Sequence, residues 1–455
     1  MLSVDEALAR CLALEVDSES EHRPLAQCAG ARLAAPLNAQ APLPRWDNSA
    51  MDGYAMRGSD ARRGAVLKVV EVIPAGVWPE RALKPGEAAR IFTGAPLPTG
   101  ADVVVIQEHC TALEGVGLGS VRVERDISQG QNIRRRGEEV KEGSLIAARG
   151  EVITPGLLGL CAAQGYAQLN VHREPRVALL ETGTELISPG KPLTGAQIYA
   201  THHVTLAPMI QSSGGALVHC ARVGDSVDEV VELLRDLANR EIDLIITTGG
   251  VSVGEFDPLH EALTQLGAER HFWKVKMKPG KPISVTSLSR TASHAPLPIF
   301  SLPGNPVSCV VGYLLFVHPL IQRASGVPSE RLGMSRITCR LTSPIEKRHT
   351  RAELLRVSVS LESASHDLKS CREHPRGSQG ATPDPQRSFW SCALTGGQSS
   401  AWISSVAFGD GLLWVPADPV TWPIGHEVEV SLFPWTRLLP TSLYLNDPAQ
   451  SDSSG

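Results

Sequence analysis

Four short apolar runs in the middle of the chain end in turn residues, and this pattern limits the possible folds more than any other feature of the sequence. The runs are RVALLETG, GALVHCARVGD, IDLIITTGG and PIFSLPGNP, and helical stretches separate them. Alternating strands and helices are typical of a doubly wound, mostly parallel α/β sheet. We therefore predict such a sheet over residues 175–326, with ligands bound beyond the carboxyl ends of its strands.

The segments on either side predict smaller domains. Between about residues 45 and 140, short strands are interrupted by Gly and Pro, which indicates a β-rich subdomain inserted into an N-terminal region of residues 1–174. Residues 327–440 return to short strands and predict a small β-barrel. Residues 362–387 look like an insertion and are expected to form a mobile loop, and residues 441–455 are expected to be a disordered tail.

Length and composition argue against several classes of protein. A chain of 455 residues is too long for one hydrophobic core and predicts about three or four domains. The net charge of −5 and the aromatic content of 5% argue against a nucleic-acid-binding surface. The nine cysteines include no Cys-x-x-Cys pair and the histidines form no His-Glu-x-x-His pattern, so neither a disulfide framework nor a zinc site is indicated.

No membrane segment is expected. The longest apolar run, residues 309–321, is too short and too interrupted to span a bilayer. The first residues, MLSVDEALARCLAL, predict an amphipathic helix with acids inside it, which is unlike a signal peptide. The expected location is the cytoplasm.

The segment TTGGVSVGEFD, residues 247–257, follows one of the four apolar runs. Gly249, Gly250 and Gly254 permit backbone conformations that bring N–H groups close to an anion. Glu255 and Asp257 could then hold a metal ion that bridges to phosphate. A tight turn without a ligand explains the same residues equally well.

A cluster of lysines lies in KVKMKPGKPISV, residues 274–285. On a strand Lys274, Lys276 and Lys278 point to one face, and the turn after Lys278 brings Lys281 close to it. Three like charges on one face favour a bound oxyanion. The alternative is a set of lysines that protects a sheet edge from pairing.

Two further stretches favour anions. In LPGNPVS, residues 302–308, Asn305 can cap a helix whose first N–H groups, with the Ser308 hydroxyl, form an anion cup; an ordinary capped helix is the alternative. In SQGQNIRRRGEE, residues 128–139, three successive arginines suit phosphate, although a solvated strand edge with glutamate counter-charges is also possible.

These features converge on one edge of the predicted sheet. The turns at Thr182-Gly183, Thr248-Gly249 and Pro303-Gly304 all follow strand-like runs, and the carboxyl ends of parallel strands share one edge. With the lysine cluster and the acidic glycine loop, they predict a pocket for a phosphorylated or oxyanionic ligand with a divalent metal.

Six motifs occur in series along the first 326 residues: DNSAMDGYA, TGAPLPTGADVVV, GQNIRRRGE, TTGGVSVGEFD, KMKPGKP and LPGNPVS. In this order they resemble the molybdopterin molybdenumtransferase family, which includes the gephyrin E domain. The last third of the chain is similar only through RAELLR and GGQSSAWISS.

The resemblance implies a reaction in which adenylylated molybdopterin and molybdate give molybdenum cofactor and AMP, with a divalent cation such as Mg²⁺. It also implies a linker or dimerisation subdomain in the N-terminal region and an elongated homodimer whose active cleft takes residues from both subunits. The molybdopterin adenylyltransferase and apo-molybdoenzymes are the implied protein partners. Because molybdate is a tetrahedral dianion, most of the catalysis would be charge neutralisation and positioning.

The resemblance also implies roles for individual residues. The residues that would bind molybdate are Lys278, Lys281, Ser308, Arg356 and Ser400. The residues that would act in catalysis are Asp52, Thr93, Glu185, Asp257, Lys278 and Lys281, and those that would hold the cation are Asp257 and Asp225. The residues that would bind the substrate are Arg134, Arg135, Arg136, Gly249, Gly250, Ser252, Pro303, Gly304, Asn305 and Ser308.

Three positions depart from the family pattern. Ala200 and His202 stand where the family has an acid and an amide, and Glu139 stands where it has an aspartate. A missing carboxylate at Ala200 would weaken nucleotide or metal binding. Two alternatives therefore remain: a non-catalytic molybdopterin-binding or scaffold paralogue, and a molybdopterin adenylyltransferase, against which the flanking domains argue.

Overall fold

The computed structural model describes residues 1–16, 19–115, 117–250, 258–290, 295–362 and 388–436. The chain forms two compact units. The main unit comprises residues 1–21 and 172–455, and the inserted unit comprises residues 22–171. Some predicted features lie outside the described residues, namely Ser252, Gly254, Glu255, Asp257, most of the 362–387 insertion and the 441–455 tail. The predicted domain boundaries stay predictions.

The chain begins with helix α1 (Val4–Leu12). The Ser3 side chain accepts the backbone N–H of Glu6 at 3.2 Å, and the Glu6 carboxylate accepts the backbone N–H of Ser3 at 2.8 Å. This reciprocal capping satisfies two donors that a helix start leaves open. The apolar face of α1, including Ala7 and Cys11, is buried in the core of the main unit.

The inserted unit is rich in short strands, as the sequence predicts for residues 45–140. Its elements, in chain order and including two strands at its boundaries, are β1 (Ser20–Pro24), β2 (Leu37–Asn38), β3 (Asn48–Ser49), β4 (Gly53–Met56), β5 (Val66–Ile73), β6 (Glu87–Ile91), β7 (Val103–Ile106), β8 (Cys110–Ala112), β9 (Gly119–Val123), β10 (Ile133–Arg134), β11 (Leu145–Ala147), α2 (Pro155–Gln164) and β12 (Gln168–His172). Six of the strands form one sheet in the order β7-β4-β6-β5-β9-β8. The unit also contains two small antiparallel pairs, β3 with β10 and β2 with β11.

The main unit contains the predicted α/β sheet. Its elements are β13 (Arg176–Thr182), β14 (Leu186–Ile187), β15 (Ile198–Tyr199), α3 (His202–Ser212), β16 (Ala216–Val223), α4 (Val227–Ala238), β17 (Leu244–Thr248), α5 (Pro258–Gln265), β18 (Glu269–Trp273), β19 (Met277–Lys278), β20 (Ser284–Leu288), β21 (Leu297–Leu302), α6 (Pro306–Gly312) and α7 (His318–Ala324), with a π-helical turn at Tyr313–Val317. The sheet order is β16-β13-β17-β21-β20-β18. The first four strands run parallel to one another. Strand β20 pairs antiparallel with β21, and β18 pairs antiparallel with β20.

The segment from α6 to α7 is one continuous apolar helix, Pro306–Ala324, of 19 residues. It is longer than the apolar run of residues 309–321 and, by length and mean hydropathy of 1.4, it could cross a membrane. However, 83% of its apolar stretch is buried within the protein. A helix that is apolar all round and packed inside a fold is typical of a domain core.

A closed barrel of five strands follows, which confirms the predicted barrel. The elements of this part are β22 (Arg336–Leu341), β23 (Ile345–Lys347), β24 (Ala352–Glu362), β25 (Phe389–Leu394), α8 (Ser404–Ala407), β26 (Gly411–Val415), β27 (Val420–Trp422) and β28 (Glu427–Leu432). The order is β24-β25-β22-β28-β26, and β26 pairs with β24 to close the ring. Strand β19 adds to β24 in parallel, so that Met277 lies opposite Ala352 and Lys278 opposite Glu353.

Candidate active site

Three strand ends of the central sheet meet, as the sequence predicts. The backbone N–H of Gly249 donates to the carbonyl oxygen of Leu302 at 3.2 Å, and the Thr182 hydroxyl donates to the carbonyl oxygen of Thr248 at 3.3 Å. A Cβ on Gly304 would lie only 3.6 Å from the Cα of Gly249. The turns after β13, β17 and β21 therefore form one surface.

Gly249 is required where it stands. Its φ of +88° lies in the left-handed region, and a Cβ there would come within 2.7 Å of the Thr182 hydroxyl and 2.8 Å of the Thr182 carbonyl oxygen. Gly250 also has a positive φ, of +62°. Two successive residues in this region place backbone N–H groups where side chains cannot cover them.

A pocket of about 270 Å³ lies at the start of α6. We call it the oxyanion pocket, and it is lined by Met277, Lys278, Pro279, Gly280, Lys281, Pro282, Pro303, Asn305, Ser308, Arg351, Gln398, Ser399 and Ser400. Four segments of the chain therefore build it: β19 with the turn that follows it, the turn that leads into α6, and two segments of the barrel part, at Arg351 and at residues 398–400.

The charged residues that line this pocket are all cations, namely Lys278, Lys281 and Arg351. The Nζ of Lys278 lies 2.7 Å from the Oε1 of Glu353, a buried carboxylate whose Oε2 lies 3.2 Å from the Nε2 of His349. Three cations at one pocket favour an oxyanion ligand.

The lysine cluster is smaller than the sequence predicts. The strand covers only Met277 and Lys278, and Lys274 has a left-handed φ of +68°. The Nζ of Lys274 lies 3.7 Å from the centroid of the Trp273 ring, and Lys276 is exposed. Neither Lys274 nor Lys276 lines the pocket, because the left-handed residue interrupts the extended chain before the face is complete.

The prediction that Arg356 binds molybdate is not supported. The Arg356 side chain is fully buried and donates to the Leu354 and Ser399 carbonyl oxygens and the Ser405 hydroxyl, and burial lowers its pKa to about 10. Arg351 lines the pocket instead. Residues five apart on a strand face opposite sides, so the alternation within RAELLR could have shown that only one of the two arginines reaches the site.

The start of α6 is placed as predicted but is not capped as predicted. Asn305 occupies the N-cap position without a side-chain capping bond, and Pro306 fills the first helical position. The Asn305 side chain therefore remains available to the pocket that it lines, beside the buried Ser308. The backbone N–H of Val307 donates to the carbonyl oxygen of Ser400 at 3.1 Å, which fastens the barrel loop to the helix start.

The predicted acidic edge is described only in part. Asp225 is exposed and accepts the Thr184 hydroxyl at 3.1 Å, and the Glu185 side chain lies beside Gly183. Asp257 lies outside the described residues. Among the residues that the structure does describe, no three His, Cys, Asp or Glu side chains are grouped to hold a metal ion. The magnesium site therefore stays a prediction.

Two of the three departures from the family pattern, Ala200 and His202, lie around the start of α3. Ala200 and His202 are both buried, and burial lowers the pKa of His202. The nearby carboxylate of Glu181 accepts the backbone N–H of His203 at 3.1 Å and lies 3.3 Å from Arg222. Glu181 was not predicted as a site residue, although an acid inside the apolar run RVALLET was a visible signal.

The inserted unit contains a second group of predicted residues. The Asp52 carboxylate accepts both the backbone N–H and the hydroxyl of Thr93, each at 2.8 Å, and these bonds lower the pKa of Asp52. A carboxylate held in this way stays ionised and keeps one oxygen available.

The three arginines differ in their partners. Arg135 donates to the Asp47 carboxylate at 2.7 Å, and Arg136 donates its backbone N–H to Asp47 and lies 3.5 Å from Glu142. Asp47 and Glu142 therefore provide counter-charges that the predicted pairing with the adjacent Glu138 and Glu139 does not include. Arg134 lines a cavity of about 700 Å³, together with Leu43, Pro44, Asn48, Gly94, Glu139, Gly156, Gly159, Leu160 and Ala163.

Comparison with known families assigns the class of protein. The family model of the MoeA N-terminal region (domain I and II) matches residues 2–165, and that of a probable molybdopterin binding domain matches residues 178–323. A structure of the molybdopterin biosynthesis MoeA protein from Pyrococcus horikoshii covers 95% of this chain and 99% of its own, with a TM-score of 0.74 and 25% identity.

Individual relatives narrow the assignment. Molybdopterin molybdenumtransferase 2 of Mycobacterium tuberculosis is 40% identical over 344 residues, which are 73% of this chain and 82% of the relative. The molybdopterin molybdenumtransferase of Bacillus subtilis is 36% identical over 327 residues, 70% of this chain and 74% of that protein. The chain belongs to the molybdopterin molybdenumtransferase family.

Proposed function

We propose that this protein is an enzyme of molybdenum cofactor biosynthesis that inserts molybdenum into molybdopterin. The observation that carries the proposal is the oxyanion pocket, in which Lys278, Lys281 and Arg351 converge at the start of α6. The relatives described above are named molybdenumtransferases, which disfavours both a scaffold without catalysis and an adenylyltransferase.

We infer that molybdate binds in the oxyanion pocket. The two lysines and Arg351 neutralise the dianion, and the Ser308 hydroxyl and the Asn305 amide donate to its remaining oxygens. The glycine turn at Gly249 and Gly250 lets the phosphate groups of adenylylated molybdopterin approach the strand ends. Catalysis then comes from charge neutralisation and from holding the two anions close together, and AMP is released.

Further features of the proposal rest on the family. Mg²⁺, when bound, would neutralise phosphate charge, and Asp225 and Asp257 are the residues proposed to hold it. Asp52, Thr93, Glu185 and Arg134 are proposed to complete a cleft in a homodimer, with Arg135, Arg136, Ser252, Pro303 and Gly304 on the substrate. The enzyme is proposed to work in the cytoplasm and to exchange its substrate and product with the molybdopterin adenylyltransferase and apo-molybdoenzymes.

The proposal is tested by AMP release. Purified protein is incubated with adenylylated molybdopterin and Mg²⁺, with and without molybdate, and with molybdopterin and ATP in parallel. AMP release that requires molybdate is expected. Binding without release would support the scaffold alternative, and AMP transfer from ATP would support the adenylyltransferase.

A pair of lysine variants locates the site. Lys281→Ala should raise the KM for molybdate about tenfold or more, because a charge-assisted hydrogen bond contributes roughly 1.5–3 kcal/mol. Lys276→Ala is the matched control, since Lys276 is exposed and outside the pocket. Equal effects of the two variants would contradict the placement of molybdate.

A further inference from the structure

The carboxylate of Glu353 contacts a cation of the oxyanion pocket from outside the pocket lining. Glu353 does not line the pocket, but its Oε1 lies 2.7 Å from the Nζ of Lys278, and its side chain is only 11% exposed. The other pocket cations, Lys281 and Arg351, have no carboxylate at salt-bridge distance among the described residues. Of the three pocket cations, only Lys278 is therefore paired with a carboxylate among the described residues.

The fold fixes this position. Lys278 and Glu353 are direct partners in the parallel pairing of β19 with β24. Arg351 precedes Glu353 by two residues, and side chains two apart on an extended chain point to one side. Arg351, just before β24, therefore lines the pocket, and Glu353, the second residue of β24, pairs with Lys278.

Three basic side chains lie near the Glu353 carboxylate: Lys278, His349 and Arg356. Its Oε2 lies 3.2 Å from the Nε2 of His349. The Arg356 guanidinium is near enough to be influenced by Glu353, but it donates to Ser405 and to carbonyl oxygens. Lys278 is thus the pocket cation that this carboxylate neutralises.

We propose that Glu353 competes with the substrate oxyanion for Lys278 and thereby sets the affinity of the pocket. This inference rests on the proposed function, because it takes the pocket to be the molybdate site. The Lys278 ammonium has three N–H donors, and one of them is directed to Glu353. The carboxylate also reduces the charge of the lining cations from three to two, which limits how tightly a dianion is held.

A limit on the affinity of the pocket for its oxyanion is consistent with efficient catalysis. Tight binding of the substrate alone lowers KM without raising kcat, so a site that must pass molybdenum on gains nothing from an excess of cations. The opposing role, in which Glu353 only orients Lys278, predicts the opposite sign, because its removal would then weaken oxyanion binding.

The test uses two tetrahedral oxyanions of similar size and different charge, molybdate and perrhenate. Their dissociation constants are measured by isothermal titration calorimetry with the wild-type protein and with Glu353→Gln, which keeps the shape and an acceptor for Lys278. Because Coulomb energy scales with ligand charge, the variant should bind molybdate about tenfold more tightly and perrhenate about threefold more tightly. Glu353→Asp withdraws the carboxylate by one methylene and should give a smaller rise in affinity in the same direction.

A charge-restoring variant separates competition from loss of shape. Lys278→Gln should weaken molybdate binding, and Lys278→Gln combined with Glu353→Gln restores the net charge and should recover much of that loss. Unchanged or weaker molybdate binding in both Glu353 variants would overturn the role of Glu353. A wild-type protein that binds neither oxyanion would instead refute the molybdate site itself, and with it the proposed function.

Discussion

Replacing Gly249 with alanine tests how tightly the strand ends are packed. The φ of Gly249 is +88°, and a Cβ there would lie 2.7 Å from the Thr182 hydroxyl and 2.8 Å from the Thr182 carbonyl oxygen. The hydroxyl can rotate, but the carbonyl belongs to the buried end of β13 and cannot move without displacing the strand. Gly190→Ala is a matched control, because Gly190 has the same φ of +88° and an added Cβ there would meet nothing within 4 Å.

The two variants should differ by the steric contact alone. A left-handed conformation costs an alanine about 1–2 kcal/mol at either position. At Gly249 the forced displacement adds roughly 1–3 kcal/mol, as overpacking of a core usually does. We therefore expect Gly190→Ala to lower the free energy of unfolding by about 1–2 kcal/mol and Gly249→Ala by roughly 2–5 kcal/mol.

Urea unfolding followed by circular dichroism measures both changes, and molybdate-dependent AMP release measures the functional consequence. Gly249→Ala should also reduce AMP release, since the displaced turn carries the N–H groups proposed to face phosphate. Equal losses of stability in the two variants would show that the turn has room for a methyl group and would refute the reasoning.

Three further predictions concern buried and paired charges. Arg356→Met should lower the free energy of unfolding by roughly 2–4 kcal/mol, because it leaves buried acceptors unpaired. Arg348→Met, at an exposed ion pair, should change it by less than about 1 kcal/mol, and urea unfolding compares the two variants. Arg134→Gln should raise the KM for adenylylated molybdopterin about tenfold. Arg136→Gln should raise this KM by less than about threefold, because Arg136 is already paired with Glu142. Steady-state rates of AMP release measure both KM values. Burial lowers the pKa of His318 to about 4, so the unfolded chain takes up an extra proton as the pH falls from 6.5 to 4. The free energy of unfolding of the wild type should therefore fall by up to about 3 kcal/mol between these pH values, and that of His318→Asn should fall by less. Urea unfolding at several pH values measures both changes.

The strand ends of the site could be predicted because their signals are local. A β-branched run followed by Gly or Pro indicates where a strand stops, and parallel strands of one sheet end at the same edge. Thr182, Gly249 and Gly304 are therefore neighbours, although long stretches of sequence separate them. The barrel was also predictable, because its short strands carry the two-residue alternation of one buried face.

The partners of the charged residues could not be predicted, because they depend on pairing between distant segments. Arg351 rather than Arg356 faces the pocket because β24 pairs with β19, and this register is set by residues far apart in sequence. Likewise the Arg135 guanidinium donates to Asp47, which is distant in the chain, whereas the adjacent Glu138 accepts the backbone N–H of Arg135. Charge runs indicate that compensation is needed, but not which residue provides it.

The position of α1 has a consequence for synthesis on the ribosome. Its apolar face packs on the helix that begins at Pro306, whereas α1 itself ends at Leu12, so roughly 290 residues must be added before its partner exists. At typical translation rates of about 5–20 residues per second, this delay is roughly 15–60 s. During that time the inserted unit can complete its own core, while α1 keeps an uncovered apolar stripe. The order in which this polypeptide is made therefore leaves that stripe accessible to other molecules until its partner helix has been synthesised.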